Sequence, residues 1–368
     1  MLSSRPFRLA VWVLLLLLIV LVGSEVPFLF SPLGAVIGAL FVPVVFAGLI
    51  YYWLNPAVNW LCGLRLPRGL AIIVVYGIIV SVIGLLVATA GPALGRQLTS
   101  IVNNAPELLS ALRPRLLALE QNEWVVRLVG PDVLALDGLV DRVTASLNYI
   151  LTTLGHNLTI FISMTTNVLA LLFLVPFILF YMLLDGEKLA PALVGYLLPT
   201  DLQAQGRKIL REMDQALSKY IQGQALICIA IGSLALVGFL VIGLEYALLL
   251  AVVVSITNIV PFVGPIVGAI PVLIVGIIQS TTMAWLALLV MVAVQQFESL
   301  VLSPRIMSKQ LGSHPVAIIF VMLASSRLLG FWGVFLAVPA FAVLKVLLTH
   351  IFRIVKLLTL RAKADGRP

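Results

Sequence analysis

Apolar runs of about the length needed to cross a lipid bilayer dominate this sequence and constrain its fold more than any other feature. Candidate spans lie at residues 9–22, 28–54, 70–89, 160–184, 226–244 and 284–297. Two further stretches, residues 246–279 and 315–349, are longer and are interrupted by Pro and Gly. A membrane-spanning helix needs roughly 20 apolar residues, because each residue rises about 1.5 Å. The runs therefore predict a chain that crosses the membrane several times.

The composition supports a lipid environment for most of the surface. Hydrophobic residues make up 62% of the chain and charged residues only 10%, whereas a soluble domain carries about 25% charged residues. There are too few charges to cover a soluble surface. The sequence predicts an all-α integral membrane protein of about eight transmembrane helices. Two of its helical segments are predicted to be broken or re-entrant hairpins, and a small extracytoplasmic helical domain is predicted beside them.

The polar stretches divide the chain into four regions. Residues 1–94 are predicted to be the N-terminal transmembrane helices, and residues 95–159 an amphipathic extracytoplasmic helical domain. Residues 160–352 are predicted to form the transmembrane core with hairpins 246–279 and 315–349, and residues 353–368 a basic cytoplasmic tail. The first run resembles a signal peptide, but no small-x-small cleavage site follows it, which favours a retained helix.

The basic residues predict the orientation in the membrane. The net charge of +8 comes largely from basic residues in short loops and in the tail. This distribution is typical of the residues that orient a membrane protein and does not indicate nucleic-acid binding. By the positive-inside rule, Arg5 and Arg8 place the N-terminus in the cytoplasm, and the basic tail places the C-terminus there too. Successive crossings then put residues 95–159 outside. In that topology, hairpin 246–279 enters and leaves on the outer side, and hairpin 315–349 on the inner side.

The interruptions of the two hairpins are the sharpest functional signal. The first interruption runs from Asn258 through Pro261 and Gly264 to Pro265, and the second from Ser325 to Gly333. Proline removes a backbone donor and clashes with the preceding turn. Backbone groups freed at membrane depth need protein or water partners, and Gly/Pro-interrupted helices mark transporter binding sites. We therefore expect a solute site where the two breaks approach each other.

Four polar side chains near these segments each allow two interpretations. Glu298 is either a proton or cation relay, paired with Arg305, or an interfacial ion pair that fixes a helix end; a charge at mid-helix costs about 2.5–3.5 kcal/mol. Asn258 either offers its amide to a polar solute or satisfies freed carbonyl groups. Gln295 either lines a polar path or hydrogen-bonds between helices. Arg327 either attracts an anion or closes a pore, or it extends to water from a hairpin tip.

Motifs for catalysis, metal binding and nucleotide binding are missing from the sequence. His156, His314 and His350 have no metal-ligand spacing, and Cys62 and Cys228 lie far apart. Neither a Gly-x-Ser-x-Gly elbow nor a phosphate-binding Gly-x-x-x-x-Gly-Lys-Ser/Thr loop occurs. We expect no enzyme activity, no catalytic residues, no cofactor and no metal.

Several segments together resemble a known family. They are the run Asn-Ile-Val-Pro-Phe-Val-Gly-Pro-Ile-Val-Gly-Ala-Ile-Pro at residues 258–271, and the segments at residues 176–188, 295–298, 302–307, 314–315 and 337–339. These are similar to the signature of the autoinducer-2 exporter family of bacterial permease-like proteins. The resemblance implies an inner-membrane homo-oligomer that exports the quorum-sensing signal autoinducer-2, or for some members sodium or lithium/proton antiport. Two positions depart from the family pattern: Gln222 replaces an often basic residue, and an acid is unusual at Glu245.

These observations favour a secondary transporter or exporter of a small polar solute, with coupling to protons or sodium left open. The alternatives are a sodium or lithium/proton antiporter and an uncoupled oligomeric channel-like pore. An intramembrane enzyme or a scaffold has little support, because no catalytic pair can be assembled from the sequence. The expected partners are the lipid bilayer, the solute and further copies of the chain.

The predicted topology has a direct test at residue 119. A Leu119→Cys variant, in a background without Cys62 and Cys228, should react with an impermeant thiol reagent added outside intact cells. Reaction only after the reagent reaches the cytoplasm would overturn the orientation.

Overall fold

The structure is a computed structural model, and it describes residues 27–104, 165–197, 199–307 and 315–364, with a few isolated positions besides. Every regular element within those ranges is helical and none is a strand, as the apolar runs predicted. Most of the first apolar run, most of the predicted extracytoplasmic domain and the last residues of the predicted tail lie outside the described residues.

Ten α-helices follow one another in the described ranges. They are α1 (Pro27–Gly63), α2 (Arg68–Asn103), α3 (Thr165–Leu197), α4 (Thr200–Ile242), α5 (Ala247–Thr257), α6 (Val263–Gln279), α7 (Thr281–Phe297), α8 (Ser303–Met307), α9 (Pro315–Leu329) and α10 (Phe331–Ala364). A π-helical segment, Glu298–Leu302, joins α7 to α8.

Five helices in the described part of the chain are long and apolar enough to cross a membrane. Their spanning parts are Gly34–Gly63, Arg68–Ile101, Leu202–Ile242, Thr281–Ile306 and Phe331–His350. Helix α4 has 43 residues and is about 64 Å long, roughly twice the 30 Å of hydrocarbon. In contrast, α5 has 11 residues and reaches only about 17 Å. The structure therefore supports a multi-pass helical protein, while the expected count of eight spans remains a prediction.

Helices α5 and α6 form an antiparallel pair, which we call the first hairpin. Its turn, residues 258–262, is the predicted interruption, and Phe262 adopts a positive φ of 65° there. At the opposite end, Gln279 at the end of α6 donates from Nε2 to the Gly243 carbonyl at 3.0 Å, and its Oε1 accepts from the Glu245 N–H at 3.2 Å. The start of α5 and the end of α6 therefore lie side by side. Pro265 lies in the first turn of α6, where a helix tolerates proline.

The two arms of the first hairpin meet closely because one position has no side chain. A Cβ atom at Gly264 would overlap the backbone carbonyl of Thr257 at the end of α5. The Gly264 N–H donates to the Val260 carbonyl at 2.8 Å and so closes the turn. Glycine is therefore a requirement of the close approach of the helices.

Helices α9 and α10 form a second antiparallel pair, joined at Gly330, which has a φ of 59°. Gly333 is buried so close to the Ser325 carbonyl that a Cβ atom would overlap it. The predicted break between Ser325 and Gly333 is thus present. Whether either pair is re-entrant within the bilayer stays a prediction.

Three apolar clusters hold the helices together. The first joins α1, α2 and α3, and the second joins α4, α5, α6 and α7 around the fully buried Phe239 and Val272. The third contains Tyr220 of α4, Val260 of the first hairpin turn, Met322 of α9 and Val338 of α10. The turn of the first hairpin therefore packs directly against the second helix pair.

Polar contacts tie the first half of α4 to α1 and α10. Tyr52 of α1 donates its hydroxyl to Asp214 Oδ1 at 2.9 Å, and His350 Nε2 of α10 lies 2.7 Å from Glu212 Oε2. Both contacts lie in the N-terminal half of α4, far from Gly243 at its C-terminal end. The first half of α4 therefore contacts both α1 and α10.

Replacing Gly264 by Ala should destabilise the protein by about 1–3 kcal/mol, because the new methyl group forces the hairpin arms apart. The thermal unfolding midpoint of the detergent-solubilised protein measures this loss. The matched control is Gly84→Ala in α2, where a Cβ atom meets nothing within 4 Å and alanine favours the helix. Equal midpoints for the two variants would contradict the close packing.

Candidate functional site

The candidate site is built around Asn258, the residue that ends α5. Its backbone N–H continues the helix by donating to the Val254 carbonyl at 3.1 Å, but no helical residue follows to bond its own carbonyl. The Gln224 side chain of α4 supplies that bond, from Nε2 to the Asn258 carbonyl at 2.7 Å. Asn258 is 2% exposed and Gln224 is 6% exposed. Two amide side chains are thus buried together at the end of a broken helix.

Within the described part of the protein, the buried side-chain nitrogen of Asn258 makes no hydrogen bond of normal geometry. The Glu298 carboxylate is close enough for a long, weak hydrogen bond with the Asn258 side chain, so the donor is only partly satisfied. A buried unpaired donor costs about 1–3 kcal/mol, so a water molecule or a solute oxygen at this position would be stabilising.

Glu298 begins the π-helical segment after α7 and is half-buried. Its Oε2 accepts a hydrogen bond from Gln295 Nε2 at 2.9 Å. Local widening of a helix to i→i+5 hydrogen bonds is frequent at functional sites. The carboxylate is therefore held by a neutral amide next to the unpaired Asn258 nitrogen.

The suggested ion pair between Glu298 and Arg305 does not form; Arg305 is exposed and no salt bridge joins these two described residues. A spacing of seven residues would place both side chains near one face of a straight α-helix. The π-helical segment between them has more residues per turn and rotates Arg305 away from that face.

A cavity of about 370 Å³ lies on the other side of Gln224. Its walls come from α1, α4, α5 with the following turn, and α10. The residues that line it are Phe46, Leu49, Ile50, Trp53, Tyr220, Ile221, Gln224, Ala225, Cys228, Ile229, Ser255, Ile256, Ile259, Phe335 and Pro339. The Gln224 amide is therefore shared between this cavity and the turn of the first hairpin.

The predicted site residues fall into two groups. The structure brings Asn258, Gln295 and Glu298 together, while Pro261, Gly264 and Pro265 shape the adjoining turn. Arg305 and Arg327 are exposed and are not part of this group; Arg327 lies in the last turn of α9, beside the second helix break.

Gln224 is not among the site residues predicted from the sequence. A signal was available, because Tyr220, Gln224 and Cys228 recur every four residues within an apolar span and so share one face of α4. Polar residues in such a span usually face the protein interior. Within the described ranges, no group of three His, Cys, Asp or Glu side chains is placed to hold a metal ion.

Comparison with known proteins places this all-helical architecture in a family. The family described as AI-2E family transporter matches residues 9–353, nearly the whole chain. The chain belongs to the AI-2E transporter family. The resemblance seen in its motifs is thereby confirmed.

Relatives in the AI-2E transporter family match along most of their length. YueF of Bacillus subtilis is 35% identical over 97% of this chain and 96% of its own. PerM of Escherichia coli K12 is 28% identical over 90% of each chain. The names of these two refer to transport and to a permease, without a substrate. A protein of Halobacillus andaensis named sodium-lithium/proton antiporter is 26% identical over 88% of this chain and 90% of its own.

Family membership establishes the general class of the protein. It is a multi-pass membrane protein of a transporter and permease family. The apolar spans of the described helices agree with that class.

Replacing Gln224 by Leu should lower stability by about 1–3 kcal/mol, because the Asn258 carbonyl loses its partner in apolar surroundings. The unfolding midpoint of the purified protein reports this change. Gln296→Leu on α7 is the control, since that side chain is exposed and its replacement should shift stability by less than about 0.5 kcal/mol. A Gln224→Leu protein as stable as this control would show that the buried hydrogen bond contributes little.

Proposed function

We propose that this AI-2E family protein is a secondary transporter that exports a small polar solute across the bacterial inner membrane. The observation that carries the proposal is the unpaired, buried Asn258 amide at the turn of the first hairpin, beside the Glu298 carboxylate. Unpaired polar groups are rarely retained in an apolar interior. Here the Asn258 amide offers a donor to a solute, and the Glu298 carboxylate, which already accepts from Gln295, has further acceptor positions.

In this proposal two side chains contact the solute and two others hold them in position. Asn258 Nδ2 donates to a carbonyl or hydroxyl oxygen of the solute, and Glu298 accepts from a solute hydroxyl. Gln295 holds Glu298 in place, and Gln224 holds the Asn258 backbone. The N-terminus of α6 adds the positive end of its helix dipole to the same region.

Access from the two sides would alternate through movement of the first hairpin. Its turn packs on the second helix pair through Val260 and Met322, so a shift of one pair must repack the other. An autoinducer-2-like signal is the solute we propose, from the family resemblance. Cytoplasmic termini and a homo-oligomer complete the proposal, as the sequence predicted.

The second candidate function is sodium or lithium/proton antiport. It is favoured by the half-buried Glu298, because a carboxylate can bind a proton or a cation in alternation. The Halobacillus andaensis relative that is named as such an antiporter is similar over 88% of this chain. An uncoupled channel-like pore would need no titratable group in the path.

Flux into proteoliposomes tests these functions. Wild-type protein should move autoinducer-2 faster than empty liposomes do, and a pH or sodium gradient should change the rate if transport is coupled. Asn258→Ala should reduce flux by about tenfold, on the scale of a lost hydrogen bond to a polar solute. Glu298→Gln should abolish the effect of the gradient.

The matched controls are Glu245→Gln and Asn104→Ala, which change the same residue types at exposed positions. Both should keep the wild-type rate. Unaltered flux in Asn258→Ala would move the site away from the hairpin turn. Cation flux without autoinducer-2 flux would favour the antiporter, and rates independent of Glu298 and of any gradient would favour the pore.

A further inference from the structure

The cavity beside Gln224 opens towards the outer surface of the helix bundle. Four of its lining side chains are substantially exposed: Trp53 is 49% exposed, Ile229 52%, Ile256 65% and Ile259 42%. Trp53 and Ile229 lie on helices that are long and apolar enough to span a membrane, and Ile256 lies on a shorter apolar helix. Lipid is therefore the expected surroundings of their exposed surface. A molecule dissolved in the bilayer can therefore enter the cavity sideways.

The chemistry of the lining restricts what can bind. None of the described residues that line the cavity carries a charge. A charged group placed there would lose its hydration without a partner, which is strongly unfavourable. The walls are aliphatic and aromatic, with Phe46, Trp53 and Phe335 as the largest surfaces. The occupant must therefore be uncharged and mostly apolar.

A small group of polar side chains on α4 and α5 breaks this apolar lining. Ser255 already donates its hydroxyl to the Cys228 carbonyl at 2.9 Å. Gln224 uses one N–H for the Asn258 carbonyl, and its side chain also interacts with the Cys228 thiol. An amide side chain has a second N–H and two acceptor positions, so hydrogen-bonding capacity remains after both contacts. One side of the cavity can therefore hydrogen-bond a single polar group.

We propose that this cavity binds a neutral amphiphile from the membrane, such as a medium-chain alcohol or amide. Its alkyl chain lies between α1 and α10, and its polar end hydrogen-bonds the Gln224 amide. The volume of about 370 Å³ accommodates roughly a dozen non-hydrogen atoms at about 30 Å³ each, within the range of small-molecule sites. This site differs from the Asn258–Glu298 site proposed for transport and does not depend on it.

The position of Gln224 gives the bound amphiphile a route to the first hairpin. The same amide group supports the Asn258 carbonyl. A polar group that hydrogen-bonds Gln224 can therefore strengthen or weaken the hydrogen bond from Gln224 to the Asn258 carbonyl, where α5 ends.

The test uses full-length protein in liposomes and a photoreactive diazirine derivative of 1-octanol. After irradiation, mass spectrometry should find adducts on peptides containing residues 224–229 and 255–259. Unlabelled 1-decanol should suppress the labelling. Decane, which lacks the hydrogen-bonding end, should compete about fivefold more weakly, and ionised decanoate should compete hardly at all.

Two tryptophan variants on α4 separate the cavity from the general lipid surface. Ile229 lines the cavity and is 52% exposed, whereas Leu226 lies one turn away, does not line it and is 55% exposed. Ile229→Trp should reduce labelling about tenfold by filling the space, while Leu226→Trp should leave it unchanged. Ala225→Leu, a smaller filling change, should also reduce labelling if Ile229→Trp fails to fold.

Three results would overturn the proposal. Equal competition by decane and 1-decanol would show that no polar end is recognised. Equal labelling of the filled variants and Leu226→Trp would place the probe in bulk lipid. Labelling that occurs only after the protein is dissociated into monomers would show that a second copy of the chain covers the cavity.

Discussion

The carbonyl group of Asn258 ends a helix in apolar surroundings, where water is scarce and every backbone polar group needs a partner from the protein. The Gln224 amide provides it at 2.7 Å. This bond stabilises the point where α5, about 17 Å long, stops and the chain turns back as α6. Because the hairpin turn exists, Asn258 and Glu298 can meet, Val260 can reach the second helix pair, and the cavity beside Gln224 has its innermost wall.

In each of the two hairpins, two antiparallel helices pack with their backbones very close together near the turn. In both hairpins a glycine on the outgoing helix, Gly264 or Gly333, allows its backbone to approach the backbone of the incoming helix closely. The first hairpin keeps an unpaired amide at its turn. The second presents exposed residues at its turn, such as Arg327 and Leu328. This difference concentrates the candidate chemistry of a transporter at the first hairpin.

Much of the fold could be predicted from the sequence, because the period and length of apolar runs are local properties. The helix breaks near Pro261 and Gly330 could also be predicted, because proline and glycine change the conformation of the backbone at their own positions. The spacing of Tyr220, Gln224 and Cys228 indicates that Gln224 faces the interior, but its hydrogen bond to the Asn258 carbonyl could not be predicted, because the two residues are 34 positions apart. The separation of Glu298 from Arg305 depends on a π-helical segment, which residue spacing does not reveal. The cavity depends on four helices at once.

Because α4 is so long, it contacts different parts of the protein in its two halves. In its first half, Asp214 and Glu212 join it to α1 and α10, so polar contacts link three walls of the cavity. At the other end, α4 passes into the first hairpin through a short connection that contains Gly243 and Tyr246, both with positive φ. A movement of the first hairpin relative to α4 would have to change the backbone at this connection and repack the apolar cluster that joins α4 to α5, α6 and α7. Such a movement would also change the width of the cavity, because α5 forms one of its walls and α1, α4 and α10 form the others.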